Sequence, residues 1–129
     1  MNRIIFLLLG FAFLIIGCQK MSVEALQKMV DRGEFSKAEK LIKKRLSKDG
    51  ELTSQQKQTL LFELERMNRI RKDFTATREQ VVEFIRKYYP EVSDSDLDRW
   101  EKEKKLEFMI IDGQKKYFKY AARNLFRLD

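Results

Sequence analysis

Polar and apolar positions follow three successive rhythms along this chain. From Ile4 to Ile16 thirteen residues pass without a charge, after a short polar and basic start at Asn2 and Arg3. From Val23 to Trp100 apolar residues recur every three or four positions, the period of helices that bury one face. From Leu106 the period drops to two: Leu106, Phe108 and Ile110 take alternate positions, Asp112-Gly113 follows, and Gln114 to Phe118 returns. That pattern predicts a β-hairpin with a two-residue turn.

The helical stretch divides at its caps. Ser22 is placed to cap a first helix whose face carries Val23, Leu26, Met29 and Val30, and Gly33 ends it. Ser36 and Glu39 have the spacing of a capping box and open a second helix, with Ala38, Leu41, Ile42 and Leu46 opposite Lys37, Lys40, Lys43 and Lys44. After an Asp49-Gly50 turn, Thr53 and Gln56 repeat that spacing ahead of a long helix running to about Lys72, with Leu60, Leu61, Leu64, Met67 and Ile70 as its stripe. Its basic end, with Arg66, Arg69, Arg71 and Lys72, suits the negative pole of a helix.

Phe74 to Ala76 link to a second part. Thr77 and Gln80 cap a helix with Val81, Val82, Phe84, Ile85 and Tyr88 on its apolar side, which must stop before Pro90. Ser93 or Ser95 caps a short helix that contributes Leu97 and Trp100 to the core, and after the hairpin a last helix from Ala121 to Leu128 offers Leu125, Phe126 and Leu128. In the returning strand, Tyr117 and its aromatic neighbours are expected to pack inward with the lysines outside. The expected fold is mainly α: a helical hairpin layer over 22–73, then a helix-helix-β-hairpin-helix unit over 74–129.

The first apolar run is too short to cross a bilayer, since thirteen residues of helix rise about 20 Å against a hydrocarbon core of roughly 30 Å. Its end, Leu14-Ile15-Ile16-Gly17-Cys18, resembles the lipobox of a bacterial lipoprotein signal peptide. The resemblance implies a signal peptide over 1–17 cut between Gly17 and Cys18, a lipid on the Cys18 thiol, and a tether over 18–21. The protein is then exported and held in the cell envelope by membrane lipid. Gln19 after the cysteine, by the same resemblance, favours the outer membrane where there are two membranes. A plain signal or membrane anchor, and translation beginning at Met21 to give a cytosolic protein, are the alternatives.

Composition narrows the chemistry. Removal of residues 1–17 from the 129 leaves 112, enough for one domain or two small subdomains. Arg3 is the one charge removed, so the remainder has 26 of the 27 basic residues against 20 acidic, a net +6 that favours anionic partners without naming one. Cys18 is the sole cysteine, so no disulfide within the chain can replace an apolar core. The chain has no histidine. A Ser-His-Asp or Cys-His nucleophile and a His-based metal site are therefore excluded, and no cofactor is expected beyond the lipid on Cys18.

Three further resemblances place the segments. Gly33, Phe35 and Ala38 are similar to the turn and second-helix start of a tetratricopeptide unit, with glycine for the reversal and alanine for close helix approach; no second copy follows. The order helix, helix, β-hairpin resembles a winged helix-turn-helix. The helix that would enter a groove carries Asp94, Asp96, Asp98, Glu101 and Glu103 against Arg99, Lys102 and Lys104, a poor match for phosphates, and no nucleic-acid partner is expected unless the chain starts at Met21.

The segments Ile70–Phe74, Trp100 through Ile111, Asp112 and Gly113 to Tyr117-Phe118, and Arg123–Leu128 resemble the N-terminal helical region of secreted bacterial transglutaminase-like proteins. In that family a papain-like domain with a Cys-His-Asp triad follows. This sequence stops where that domain would begin, and it has neither the histidine nor a second cysteine, so no catalytic residue carries over. The resemblance implies a non-catalytic accessory or scaffold domain whose enzyme is separately encoded or lost, or a truncated product. Leu125, Phe126 and Leu128, crowded near the C-terminus, are its candidate partner-binding residues. A cell-envelope enzyme built on a carboxylate pair is the alternative from another class.

Overall fold

The computed structural model describes residues 21–48 and 50–127. Among them are six helices and one two-stranded antiparallel sheet: α1 (Val23–Asp31), α2 (Phe35–Leu46), α3 (Ser54–Asp73), α4 (Arg78–Arg86), α5 (Asp94–Lys102), β1 (Phe108–Ile111), β2 (Gln114–Tyr117) and α6 (Ala121–Leu125). The fold is mainly helical with a single β-hairpin.

Local chemistry sets most boundaries. Ser22 caps α1 by accepting from the Ala25 amide at 3.1 Å. Reciprocal capping boxes start α3 at Thr53 and Gln56, α4 at Thr77 and Gln80, and α5 at Ser93 and Asp96. The hairpin turn has positive φ at both Asp112 (51°) and Gly113 (78°), the geometry that matches strand twist across a two-residue loop. Phe108 lies opposite Tyr117 and Ile111 opposite Gln114.

The capping box expected at Ser36 and Glu39 does not form. Glu34 occupies the cap position without a side-chain hydrogen bond, and Ser36 lies inside α2. Its amide and hydroxyl donate instead to the two carboxylate oxygens of Asp112, at 3.0 and 2.6 Å. Glu39 accepts from Arg71 of α3 at 2.8 Å and pairs with Lys43 at 3.0 Å. Asp112 takes both donors of Ser36 with one carboxylate, and Glu39 gains charge-assisted contacts with Arg71 and Lys43 in place of one neutral amide.

Two apolar cores are stacked on opposite faces of the hairpin. The first joins Leu26, Met29 and Val30 of α1, Phe35, Ala38 and Ile42 of α2, Leu60 and Met67 of α3, and Leu52, with Met109 and Ile111 of β1 packed into it. The second joins Val81 and Ile85, Leu97, Leu106, Tyr117, Ala121 and Ala122, with Phe108 against it. Alternate residues of β1 thus serve different cores, as the strand's two-residue period requires. Ile110, expected inside, is exposed near the turn.

Leu61 is likewise outside. One position after Leu60 it is rotated about 100° from the buried line, and Glu63 takes an inward place instead, 4% exposed and paired with Arg66 at 2.7 Å. Arg66 also reaches Asp31 of α1 at 2.7 Å and Arg71 reaches Glu39 of α2, so the basic end of α3 braces its neighbours.

Backbone contacts tie the halves together. Asp112 donates its amide to the Gly33 carbonyl at 2.8 Å, and Gly33 sits at φ 81° with its α-carbon against the Ile110 carbonyl, space that no side chain can share. Ala76 in the linker exchanges both backbone hydrogen bonds with Tyr117, at 3.1 and 2.8 Å, adding a short third partner to the hairpin. Lys119 donates its amide to the Asp73 carbonyl at 2.7 Å. Phe74 and Phe118 meet with ring centroids 5.8 Å apart.

Candidate functional site

Two clusters in the second unit stand out. The first is a polar hub under β2. Glu101, on the last turn of α5, accepts from the Tyr117 hydroxyl and from Lys115 Nζ at 2.9 Å, while Arg78 lies 3.8 Å away. Its side chain is 9% exposed. Burial works against the charge, but the hydrogen bonds from Tyr117 and Lys115 and the Lys115 and Arg78 charges outweigh it and hold the carboxyl below its ordinary range. Burial and then the adjacent Glu101 carboxylate push the Tyr117 phenol up to about 12.

The hub is chemically quiet. Arg78 also contacts Asp94 at 3.1 Å and Asp98 at 3.7 Å, so it knits α4 to α5. Glu101 sits among two cations and a phenol that stays protonated, an arrangement that fixes three elements and offers no proton near neutrality. Among the described residues no group of three or more acidic side chains is placed to hold a metal ion.

The second cluster is an aromatic rim. α4 ends at Arg86, and the amides of Tyr88 and Tyr89 both turn back to the Ile85 carbonyl, at 2.9 and 2.8 Å, before Pro90 stops the helix. This tight ending sets two consecutive tyrosines on the surface, 61% and 56% exposed. Phe126, just past α6, packs on Tyr88 at 4.8 Å and nearly parallel to Tyr89 at 5.5 Å, with Phe84 beneath at 6.5 Å. An adjoining groove of 610 Å³ is lined by Tyr89, Pro90, Glu91, Val92, Asp96, Arg99 and Trp100.

Of the residues picked out by sequence, Leu125 and Phe126 are half-buried and pack against the second core. Phe126 finds its cover from Phe84 of α4 and from Tyr88 and Tyr89 just beyond it. Leu128, Gly17 and Cys18 lie outside the described residues. Tyr88, assigned to the core by its spacing, and Tyr89 are instead the exposed part of the rim. The sequence signal for this was the Tyr-Tyr-Pro stop: Pro90 keeps Tyr89 out of helical geometry, and the helix ends at Arg86, ahead of both tyrosines. Trp100 packs against the second core and carries Arg99 over its ring at 5.7 Å.

No family model matches this chain, and no curated protein or solved structure is significantly similar to it. Among the described residues no helix is long and apolar enough to cross a membrane.

Proposed function

We propose that the chain is an exported lipoprotein, anchored through a lipid on Cys18 in the cell envelope, that acts as a non-catalytic interaction domain. In a bacterium with two membranes Gln19 favours the outer one. The observation that carries the interaction role is the rim of Tyr88, Tyr89 and Phe126. Large aromatic surface left in water beside a groove is the kind of patch that partner contacts bury. The anchoring half rests on the Leu14–Cys18 pattern.

The absence of histidine and the commitment of the sole cysteine to lipid support a non-catalytic role. So does the ion-paired state of Glu101, the most enclosed carboxylate of the second unit among the described residues. Nucleic acid is disfavoured as a partner by the N-terminus of α5, where Asp94 and Asp98 are 88% and 70% exposed. The resemblance to the N-terminal region of transglutaminase-like proteins makes a separately encoded catalytic domain of that type the expected partner.

Two measurements test this. Wild-type protein should fractionate with membranes and incorporate labelled palmitate, and Cys18→Ala should do neither; equal labelling of the variant removes the anchoring claim. A transglutaminase-like domain encoded next to this chain should co-purify with it, and Tyr88→Asp should abolish the association. Unchanged association would take the rim out of the interface.

A further inference from the structure

The lysines of α2 form a face on which, among the described residues, no acid is paired with Lys37, Lys40 or Lys44. Lys37, Lys40 and Lys44 fall within an arc of about 60° on the helix, opposite Phe35, Ala38 and Ile42 in the first core. Lys48, just beyond the helix, is exposed as they are. None of the four forms an ion pair among the described residues, whereas Lys43 on the flank is paired with Glu39.

This face has a defined place relative to the tether. α1 and α2 reverse at Gly33, so the start of α1 lies beside the end of α2, where Val23 and Leu46 both pack on the first core. The end of α2 that carries Lys44 therefore lies at the same end of the unit as Ser22, and Ser22 is four residues from Cys18 in the sequence, a reach of at most about 14 Å for an extended chain. Glu24 and Glu51 are the acidic side chains at this end among the described residues. The exposed carboxylates Asp94 and Asp98 belong to the other unit, across the hairpin.

We infer that Lys37, Lys40, Lys44 and Lys48 seat the first unit on an anionic phospholipid surface, so that the protein lies on its membrane lysine face down. This rests on the lipid anchor proposed above. A single acyl attachment leaves a domain free to tumble, and a row of unpaired cations close to the anchor supplies the second, electrostatic contact that fixes its orientation. The same surface repels the acidic end of α5, which turns the second unit and its aromatic rim toward the aqueous space where a protein partner would meet it.

The test uses the full lipidated protein, purified from membranes and returned to vesicles of phosphatidylcholine alone or with phosphatidylglycerol added. A water-soluble amine reagent and mass spectrometry read each lysine. In the anionic vesicles Lys37, Lys40, Lys44 and Lys48 should be protected severalfold relative to Lys102 and Lys104. Protection should vanish in phosphatidylcholine and in 1 M salt, where screening falls to about 3 Å. Equal labelling in the two vesicle types overturns the inference.

The same spectra show whether Cys18 carries its acyl mass, so failure of the anchor reads separately. If that mass is absent, co-sedimentation decides. A chain that pellets with phosphatidylglycerol vesicles, and about tenfold less as Lys37→Gln/Lys40→Gln/Lys44→Gln, keeps the inference; one that stays in the supernatant ends it.

Discussion

Ser36 and Asp112, 76 positions apart, share two hydrogen bonds in which the helix start donates and the hairpin turn accepts. The carboxylate does for α2 what a local cap does for the other long helices, and it locks the hairpin to the first core at the same point. Asp112 is therefore cap, turn residue and link between halves at once.

Asp112→Ala should lower stability by about 1 to 3 kcal/mol, combining a lost cap with the cost of positive φ at a residue with no polar side chain. Asp112→Asn keeps the turn preference and should lose less. Urea denaturation of both variants checks the order, and equal losses would show that the φ contribution is negligible.

Acid should act through the same carboxylate. Partial burial works against its charge, but the Ser36 hydroxyl and amide outweigh it and hold Asp112 below its ordinary value of 3.8. Glu39 is held below 4.5 by hydrogen bonds from Arg71 and Lys43. A lowered folded pKa gives stability that is present above the unfolded value and lost as pH falls through the folded one. Melting temperature should therefore hold down to about pH 4.5 and fall below it, less steeply in Asp112→Asn.

Gly33 and Gly50 both have positive φ, at 81° and 86°, and only Gly33 faces an obstacle, the Ile110 carbonyl. Gly50→Ala should cost about 1 to 2 kcal/mol for the backbone alone. Gly33→Ala should cost clearly more and separate the helical layer from the hairpin, seen as a lower melting temperature and faster amide exchange at Asp112. Similar losses for the two variants would mean that the close approach relaxes easily.

At the other end of the pH scale Tyr117 governs. With its phenol pushed up to about 12, the folded chain holds a proton that the unfolded chain releases near 10. The stability this supplies is complete below pH 10 and drains away as pH rises through about 12. Tyr117→Phe should flatten that alkaline slope, at the expense of leaving Glu101 one donor short.

The rim separates folding from binding. Phe126 is half-buried among Phe84, Tyr88 and Tyr89, so Phe126→Asp should lose about 1 to 2 kcal/mol of stability as well as any partner contact. Tyr88, at 61% exposure, should tolerate Asp with little change in melting temperature. Loss of partner association in Tyr88→Asp without loss of stability would assign the rim to binding; a melting temperature that drops as far as in Phe126→Asp would assign it to the core.

By itself the sequence determined what depends on neighbours three or four positions away. The boxes at Thr53-Gln56 and Thr77-Gln80, the Asp112-Gly113 turn, the helical faces of α1 and α2 and the inward Tyr117 could be read because each partner is held in place by the local backbone period. What only the tertiary structure decided involves partners far apart in the chain. Ser36 had the same spacing to Glu39 as a true box, yet Asp112 captured its donors and Arg71 captured Glu39. Glu101 counted only as one of five acids on its helix, and Lys115, Tyr117 and Arg78 close over it in the fold. Tyr88 had core spacing, but α4 ends at Arg86, ahead of it, and Phe126 packs on its ring instead. In each case a local pattern fixes which groups are offered, and packing of distant elements fixes which of the competing hydrogen bonds and contacts is the stronger.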